Sequence, residues 1–427
     1  MQIILLISLG IVNFLYFLYC KIRVFDIIFF SGPIIFLVAQ WGFFPPARFV
    51  FLFSVALLSS ILVVKIGLPK NRIAIGLCLL SIYSISTSFL SYYQMISALK
   101  GISLFLLAGF LLFVPAAIQM IHPQIGTRTY ILRMYLFYGA GIVITNGIYF
   151  FVDPSSSNEY FSGSSFYNER FRGYFVNPND LAAFYGIYFV PIFWFIIEKK
   201  KILFEKLGLF LLFFLAIIQL IATQSRAGII SCIVALCIFI FGNLKGFLRA
   251  MSIFTIIIVF TGFYAENPND NFIRNFIFRN EIYFDGSGRI PVWEETFDKI
   301  MEKPVFGGGL GVSRTQQKEE MLQFNSDIYT IQKGNSYLGA LEELGLVGIA
   351  ILFGALLIPI LKLSWKGLLS NQINNDKNNL LIIAVVAGGL VNAMFEAWLL
   401  SVGNFLAFSF WMFASLLLNS KRDSIEG

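Results

Sequence analysis

Long apolar runs alternate with short polar stretches along nearly all of this 427-residue chain. Each run is close to the length of about 20 residues with which a helix crosses a bilayer. The pattern predicts an all-α polytopic membrane protein with about 12–13 transmembrane helices. Pro45 and Pro46 interrupt the pattern between the second and third runs, which leaves 12 as the alternative count. The predicted spans are 2–20, 26–42, 47–64, 73–92, 101–121, 130–152, 181–197, 206–223, 227–244, 250–264, 336–361, 379–399 and 402–419.

Lysine and arginine collect on one side of these spans, as in the run from Lys199 to Lys201. The positive-inside rule makes that side cytoplasmic. The sequence therefore predicts three regions. They are N-terminal transmembrane helices over 1–264 with an external loop at 153–180, a large external loop over 265–335, and C-terminal transmembrane helices over 336–427.

The large loop is too long to be a simple connection, and we expect short helices in it. Pro291 to Lys303 carries apolar residues at roughly the spacing of one helical face. Pro291 suits the first turn of that helix, and Pro304 with the following glycines ends it. The apolar residues of this face are Val292, Phe297, Ile300 and Met301.

Composition excludes several kinds of site. Only 13% of the residues are charged, against about 25% in soluble domains. The net charge of +7 is the usual excess of cytoplasmic loops, so no nucleic acid partner is predicted. The cysteines form no CxxC pair and His122 is the single histidine, which leaves little for a metal site. With neither DxD nor GxxxxGK[ST] in the chain, we expect no metal, nucleotide or other cofactor.

Three arginines lie in turns on the external side. Arg226 is the sharpest case, because it lies between two apolar spans and must sit near the membrane surface. One interpretation is an anchor at the lipid headgroups. The other is a phosphate site, because the planar guanidinium binds phosphate in a bidentate manner. Arg172 and Arg289, in similar turns, favour a cluster that binds a lipid-linked pyrophosphate.

Glycines and carboxylates supply further candidates. A glycine-rich stretch around Gly309 can present backbone N–H groups to an anion, or it can be a plain turn. Glu342, Glu343 and Glu396 fall within predicted spans, where an ionisable side chain is expensive and marks function.

Four motifs follow one another in a specific order: FRGYFVNPNDLAAF, SRAGII, SGR to FGGGLG in the large loop, and NSYLGALEELGLVG. In this order the chain resembles the O-antigen ligase and O-antigen polymerase family of bacterial envelope glycan enzymes. The resemblance implies a metal-independent membrane glycosyltransferase with a GT-C-like fold in the bacterial cytoplasmic membrane. It further implies an undecaprenyl-pyrophosphate-linked glycan as donor on the external face, and a chain-length regulator as an additional partner.

The resemblance also assigns site residues. It gives catalytic roles in binding the donor pyrophosphate to Arg226 and Arg289, with help from Arg172. The expected substrate-binding residues are Arg172, Asn177, Asn179, Trp293, Gly309, Asn335 and Glu396.

One position departs from the family pattern. Asn335, Gly345 and Gly348 fit the spacing of the ligase motif, but Gly334 occupies the place of the histidine that is expected to activate the acceptor in ligases. We therefore expect a polymerase of lipid-linked oligosaccharide repeat units, with Glu343 as the catalytic base or with no base at all. The alternatives are a ligase that transfers the glycan to lipid A core or another acceptor, a flippase for the same lipid-linked glycan, and a structural membrane protein.

Overall fold

A computed structural model of the chain provides the structure. It describes residues 35, 47–63, 71–91, 93–157, 166–167, 169–175, 177–197, 203–243, 289–312, 334–369 and 377–418. The predicted spans at 2–20 and 250–264, nearly all of 26–42 and most of the loop 265–335 lie outside the described residues.

Helices make up almost all of the described chain. They are α1 (Ala47–Val63), α2 (Arg72–Thr87) with a 3-10 turn (Ser88–Leu90), α3 (Gln94–Ile121), α4 (Thr127–Val152), α5 (Pro178–Ile197), α6 (Leu203–Ala222), α7 (Arg226–Asn243), α8 (Arg289–Glu302), α9 (Ser336–Ile351) with a π-helical segment (Leu352–Leu357), α10 (Ile358–Leu369), α11 (Lys377–Ala393) and α12 (Phe405–Leu418).

Six of the helical stretches are long and apolar enough to cross a membrane, and four shorter ones are equally apolar. The six are Arg72–Leu90, Gln94–Ile121, Thr127–Val152, Pro178–Ile196, Glu205–Ala222 and Ser336–Lys362. The shorter ones are Ala47–Val63, Arg226–Ile240, Asn378–Ala393 and Phe405–Leu417. The prediction of an all-α polytopic membrane protein is confirmed.

Three short strands form the exception within the predicted loop 153–180. They are β1 (Ser156–Ser157), β2 (Phe166–Tyr167) and β3 (Arg170–Phe171). β1 pairs in parallel with β2, and β2 pairs antiparallel with β3. The pairing of β3 fixes the chain just before Arg172.

Helix α12 lies at the centre of the bundle. Every side chain from Phe405 to Leu417 is buried, and the helix packs against α2, α3, α5, α10 and α11. A helix that is apolar all round is expected in such a position. The indole N–H of Trp411 donates a hydrogen bond of 2.8 Å to the carbonyl of Leu399, which ties α12 to the turn that precedes it.

Helices α5, α7 and α11 approach one another through small residues. A Cβ atom added to Gly228 would lie 2.3 Å from the Cβ of Ala182. Likewise, a Cβ on Gly388 would lie 2.9 Å from both the Cβ of Ala235 and the carbonyl oxygen of Ser231. Small residues allow this close backbone approach where membrane helices associate. Because Gly228 of α7 lies beside Ala182 of α5, the first turns of these two helices are side by side.

Helix α8 confirms the short helix predicted in the large loop, and it shows which side of that helix is buried. Thr296 and Ile300 are buried and Trp293 is half-buried, whereas Phe297 is 52% and Met301 is 76% exposed. The inward face follows the spacing i, i+3, i+7 that points side chains to one side of a helix. Of the apolar residues that indicated this helix in the sequence, Ile300 is buried, whereas Phe297 and Met301 are exposed.

The span predicted as one helix over 336–361 is interrupted. Gly345 has φ 63° and ψ −172°, which is not helical. Pro304–Val312, which we call the glycine strap, lies against this break. The Leu346 N–H donates to the Pro304 carbonyl at 2.8 Å, and the N–H groups of Gly308 and Gly309 donate at 2.9 Å to the carbonyls of Glu342 and Glu343. Backbone groups freed by the break therefore find partners within the protein, as an apolar environment demands.

Replacement of Gly345 by alanine should lower the stability of the purified protein in detergent. A Cβ atom here would lie 2.4 Å from the Val305 carbonyl oxygen, and the residue has a positive φ. Together these effects should lower the free energy of unfolding by about 1–3 kcal/mol. A thermal unfolding curve followed by intrinsic fluorescence measures the change. Gly354→Ala is the matched control, because a Cβ atom there has nothing within 4 Å. Equal unfolding temperatures for the two variants would contradict the account of the strap.

Candidate functional site

Arg170 holds together the starts of α5 and α7. Its Nε donates a hydrogen bond of 2.9 Å to the carbonyl of Thr223, in the turn before α7. Its Nη2 donates at 2.7 Å to the Oδ1 of Asn179, in the first turn of α5. Strand β3 places this arginine, so the small sheet positions the ends of two membrane helices relative to each other.

Asn177 and Asn179 organise the start of α5. The Oδ1 of Asn177 accepts from the backbone N–H of Asn179 at 2.8 Å, as an N-cap side chain does. Pro178 then takes the first helical position, which favours proline. The predicted role of both asparagines in substrate binding stays a prediction. In this structure their side-chain oxygens accept hydrogen bonds within the protein.

Arg172 is only 3% exposed. It interacts electrostatically with Tyr149 of α4, whose hydroxyl also hydrogen-bonds to Asp153. The ring of Tyr174 stacks on that of Tyr149, with 4.7 Å between the ring centroids. Burial raises the pKa of Tyr174, so this hydroxyl stays neutral at physiological pH. Arg172 therefore belongs to a packed aromatic layer between α4 and the following loop.

The turn that carries Arg172 is anchored to α4. Gly173 has φ 54°, and a Cβ atom there would lie 2.3 Å from the Oδ1 of Asn146. That oxygen accepts a 3.0 Å hydrogen bond from the backbone N–H of Tyr174. The FRGYF segment needs glycine at this position because the backbone turns directly over the Asn146 side chain.

Arg226 is the first residue of α7 and is half-buried. The preceding turn is tight, with Gln224 at φ 51°. The first turn of α7 contains no acidic residue. The free N–H groups at the start of a helix carry a partial positive charge. Arg226 adds a full positive charge at the same place, against the usual preference for acidic residues.

Two carboxylates lie next to these helix starts. Asp180, in the first turn of α5, interacts electrostatically with Glu396. Glu396 follows α11 and is 4% exposed. The Ser336 hydroxyl, at the start of α9, donates a 2.6 Å hydrogen bond to the Glu396 carbonyl. It also accepts from the backbone N–H of Trp398 at 3.1 Å. These contacts join the start of α9 to the start of α5.

The starts of α5, α7 and α9 therefore meet at one end of the bundle. Each provides backbone N–H groups that the helix itself does not use. Asn335 satisfies two of those of α9, because its side chain accepts from the N–H groups of Tyr337 and Leu338. Helix starts of this kind are natural anion sites. Arg170 and Arg226 lie beside these helix starts, together with the two carboxylates.

Glu343 lies in a different group of charges. It interacts electrostatically with Lys100 of α3, and Lys100 in turn lies close enough to Arg48 of α1 to interact with it. Gly311 of the glycine strap covers Lys100, since a Cβ atom there would lie 2.7 Å from the Lys100 Cγ. The structure thus places Glu343 with cations of α1 and α3 and places Glu396 with the helix starts of α5 and α9.

Four other predicted residues have the following positions. Gly309 donates its N–H to Glu343, which favours the turn interpretation over an anion cradle. Gly334 is buried with φ 64°, directly before the Asn335 cap. Trp293 faces inward on α8. Arg289 begins α8 rather than preceding it, and its side chain lies outside the part of the chain that the structure describes. The roles predicted for these residues stay predictions.

Sequence reasoning missed Arg170, Asp180 and Ser336 as members of the site. Arg170 lies two residues before Arg172, in the external segment for which the sequence already predicted a site residue. Asp180 sits at the edge of an apolar span, which is itself a signal. Nothing in the local sequence marks Ser336 as a site residue, because its hydrogen-bond partners lie 60 or more residues away in the chain.

The described residues hold no group of three or more histidine, cysteine, aspartate or glutamate side chains arranged to bind a metal ion. The chemistry that this part of the chain offers consists of guanidinium groups, helix starts, carboxylates and hydroxyls.

Residues 211–353 match the family model described as O-antigen ligase. No curated protein matches the chain. The matched segment runs from α6 to the π-helical segment and contains Arg226, Glu343 and the glycine strap, while Arg172 and Glu396 lie outside it. Proteins of this family are glycosyltransferase-like enzymes, and the match supports a glycan-processing function of the O-antigen ligase or polymerase type. This match over residues 211–353 is consistent with the resemblance to the O-antigen ligase and polymerase family.

Proposed function

We propose that this protein is a polymerase of undecaprenyl-pyrophosphate-linked oligosaccharide repeat units. It transfers a growing glycan from its lipid pyrophosphate to the next lipid-linked unit. The reaction takes place on the external face of the bacterial cytoplasmic membrane, and it uses neither metal nor nucleotide. The product is O-antigen or a related surface polysaccharide.

The start of α7 carries this proposal. Arg226 stands on a helix N-terminus without any acidic residue in the first turn. The N–H groups at the helix start and the guanidinium of Arg226 are both positive, and both favour an anion. A pyrophosphate supplies that anion, because a guanidinium binds phosphate oxygens through two parallel hydrogen bonds. A local arrangement that opposes a general rule of stability is typical of a functional site.

The arginines have distinct roles in this proposal. Arg226 contacts the donor pyrophosphate directly, and Arg289 joins it from α8. Arg170 positions the two helix starts through its bonds to Thr223 and Asn179. Arg172 interacts with Tyr149 and helps to hold its own turn against α4.

The transfer step depends mainly on the positions of the two glycans and on stabilisation of the charge that develops on the leaving group. A hydroxyl oxygen of the acceptor glycan bonds to C1 of the donor sugar, and the bond from C1 to the pyrophosphate oxygen breaks. Undecaprenyl pyrophosphate leaves with the electron pair, and the hydroxyl proton passes to a carboxylate. Preorganised positive groups stabilise the charge that develops on the leaving pyrophosphate. Fixed orientation of the two glycans supplies a further part of the acceleration.

Glu396 is better placed than Glu343 to receive that proton. Its interaction with Asp180 puts it beside the starts of α5 and α7, where the donor pyrophosphate is proposed to bind. Glu343 interacts with Lys100, on the other group of helices. The sequence-based assignment of Glu343 stays as the alternative base.

A ligase is the second candidate, because the family match covers both activities. Gly334, in the position of the histidine expected in ligases, favours the polymerase. A flippase for the same lipid is the candidate from another class. It would leave the length of the glycan unchanged, which makes product length the discriminating observation.

The proposed function makes two predictions, and the first concerns the arginine at the start of α7. Purified wild-type protein in lipid nanodiscs should extend lipid-linked repeat units into a ladder on a gel, in the presence of a metal chelator. Arg226→Ala should lower the extension rate by about 100-fold or more, because it removes a charged donor to the leaving group.

Arg72→Ala is the matched control. Arg72 is exposed and is the first residue of α2, and the glycine strap lies beside the other end of that helix. This variant should extend chains at the wild-type rate. Full activity of Arg226→Ala would show that this arginine does not bind the donor. Units that stay single in the wild type, but are transferred to added lipid A core, would identify a ligase.

The second prediction compares the two carboxylates. Glu396→Gln should slow transfer by about 100-fold or more, the usual contribution of a general base. Glu343→Gln should retain the rate constant at saturating concentrations of both lipid-linked substrates. Single-turnover extension assays measure both. The reverse result, a slow Glu343→Gln and a normal Glu396→Gln, would return the role of base to Glu343.

A further inference from the structure

A second group of buried charges lies apart from the helix starts of α5 and α7. It consists of Arg48 at the start of α1, Lys100 of α3 and Glu343 of α9. Lys100 interacts electrostatically with both of the others. Two cations and one carboxylate thus come together, and both cations are half-buried.

Arg48 has bonding capacity to spare. Its Nη1 donates a hydrogen bond of 3.2 Å to the carbonyl of Gly403. Its Nε is buried and has no hydrogen-bond acceptor among the described residues. The ring of Phe49 lies 5.1 Å from the guanidinium carbon, which covers a face of the group and not its N–H edge. A buried guanidinium N–H without an acceptor is costly, and a bound anion would remove that cost.

The protein backbone packs closely around these cations. A Cβ atom on Gly403 would lie 2.4 Å from the Arg48 guanidinium carbon, and one on Gly311 would lie 2.7 Å from the Lys100 Cγ. The glycine strap is fixed here by the Ser97 hydroxyl, which accepts from the Leu310 N–H at 3.1 Å. Both cations are therefore held in place before any ligand arrives, which lowers the entropic cost of binding.

Both groups of charges lie at the same end of the bundle. Gly403, which contacts Arg48, belongs to the turn between α11 and α12 that also carries Glu396. Glu343 lies on the same helix as Ser336, which contacts Glu396. Seven residues of helix separate Ser336 from Glu343, or roughly 10 Å along the axis. The two sites thus flank α9.

We infer that Arg48 and Lys100 bind the pyrophosphate of the second lipid-linked unit, the acceptor. This inference rests on the proposed polymerase function. A polymerase joins two molecules that each carry a lipid pyrophosphate, so it needs two anion sites at one membrane face. The acceptor presents its far glycan end to the donor, and its own pyrophosphate must therefore lie away from Arg226. Glu343 holds Lys100 in position within this acceptor site.

The test counts undecaprenyl pyrophosphate molecules bound to the purified full-length protein in detergent, by native mass spectrometry. Wild type should bind two. Arg226→Ala should bind one, and the double variant Arg48→Gln, Lys100→Gln should bind one. Lys303→Gln is the matched control, because this nearby cation bonds to the Leu90 carbonyl and should leave the count at two.

A kinetic measurement supports the count. With a saturating lipid-linked donor, the double variant should use a lipid-linked acceptor about tenfold less efficiently, since it loses charged hydrogen bonds to the phosphate. It should use a free repeat-unit oligosaccharide, which has no pyrophosphate, at the wild-type rate. The conservative pair Arg48→Lys, Lys100→Arg should recover most of the loss, and this recovery separates a binding role from a structural one.

Several results would overturn the inference. One such result is that the wild type binds a single molecule and that Arg226→Ala abolishes its binding. That result would agree with the donor site and with the proposed function, but not with an acceptor site at Arg48 and Lys100. Another is displacement of the Arg48-dependent molecule by an equal concentration of phosphatidylglycerol, because the site would then take any phospholipid headgroup. Absence of bound undecaprenyl pyrophosphate in the wild type would contradict the proposed function together with the inference.

Discussion

Hydrogen bonding of backbone groups around one broken helix controls much of this structure. At Gly345 the backbone of α9 leaves the helical conformation, and the freed N–H and carbonyl groups lie among apolar side chains. Each such group costs several kcal/mol if it stays without a partner in a bilayer. The glycine strap provides the partners, from Pro304 to Gly309. It can do so only because glycines at the contact allow the two backbones to touch.

This solution determines where the charged residues lie. The strap bonds to α9 on both sides of the break, and α9 begins at Ser336, beside Glu396 and the starts of α5 and α7. It also covers Lys100, which brings that cation to Glu343. The two charged groups thus lie on either side of α9. Cations that lie at a helix start or near one another attract anions, and these are the groups to which we assign the donor and the acceptor pyrophosphate.

The sequence predicted the membrane helices well, because length and hydropathy are properties of each segment alone. It also identified Arg226 and Glu396 as candidate site residues, because a charged residue in or beside an apolar run can be recognised from the neighbouring sequence alone. It did not predict that α9 breaks at Gly345, that Arg170 joins two helix starts, or that Glu343 lies with Lys100. Each of these depends on contacts between residues far apart in the chain, and the inward face of α8 likewise depends on what it packs against. Periodicity and composition contain no such information.

The most direct test is a cryo-EM structure of the protein in a nanodisc with a non-transferable undecaprenyl-pyrophosphate-linked glycan bound. The account predicts pyrophosphate density within hydrogen-bond distance of the Arg226 guanidinium, between the starts of α5 and α7. Density for the pyrophosphate at the opposite end of the bundle, with the start of α7 facing only protein and water, would contradict it.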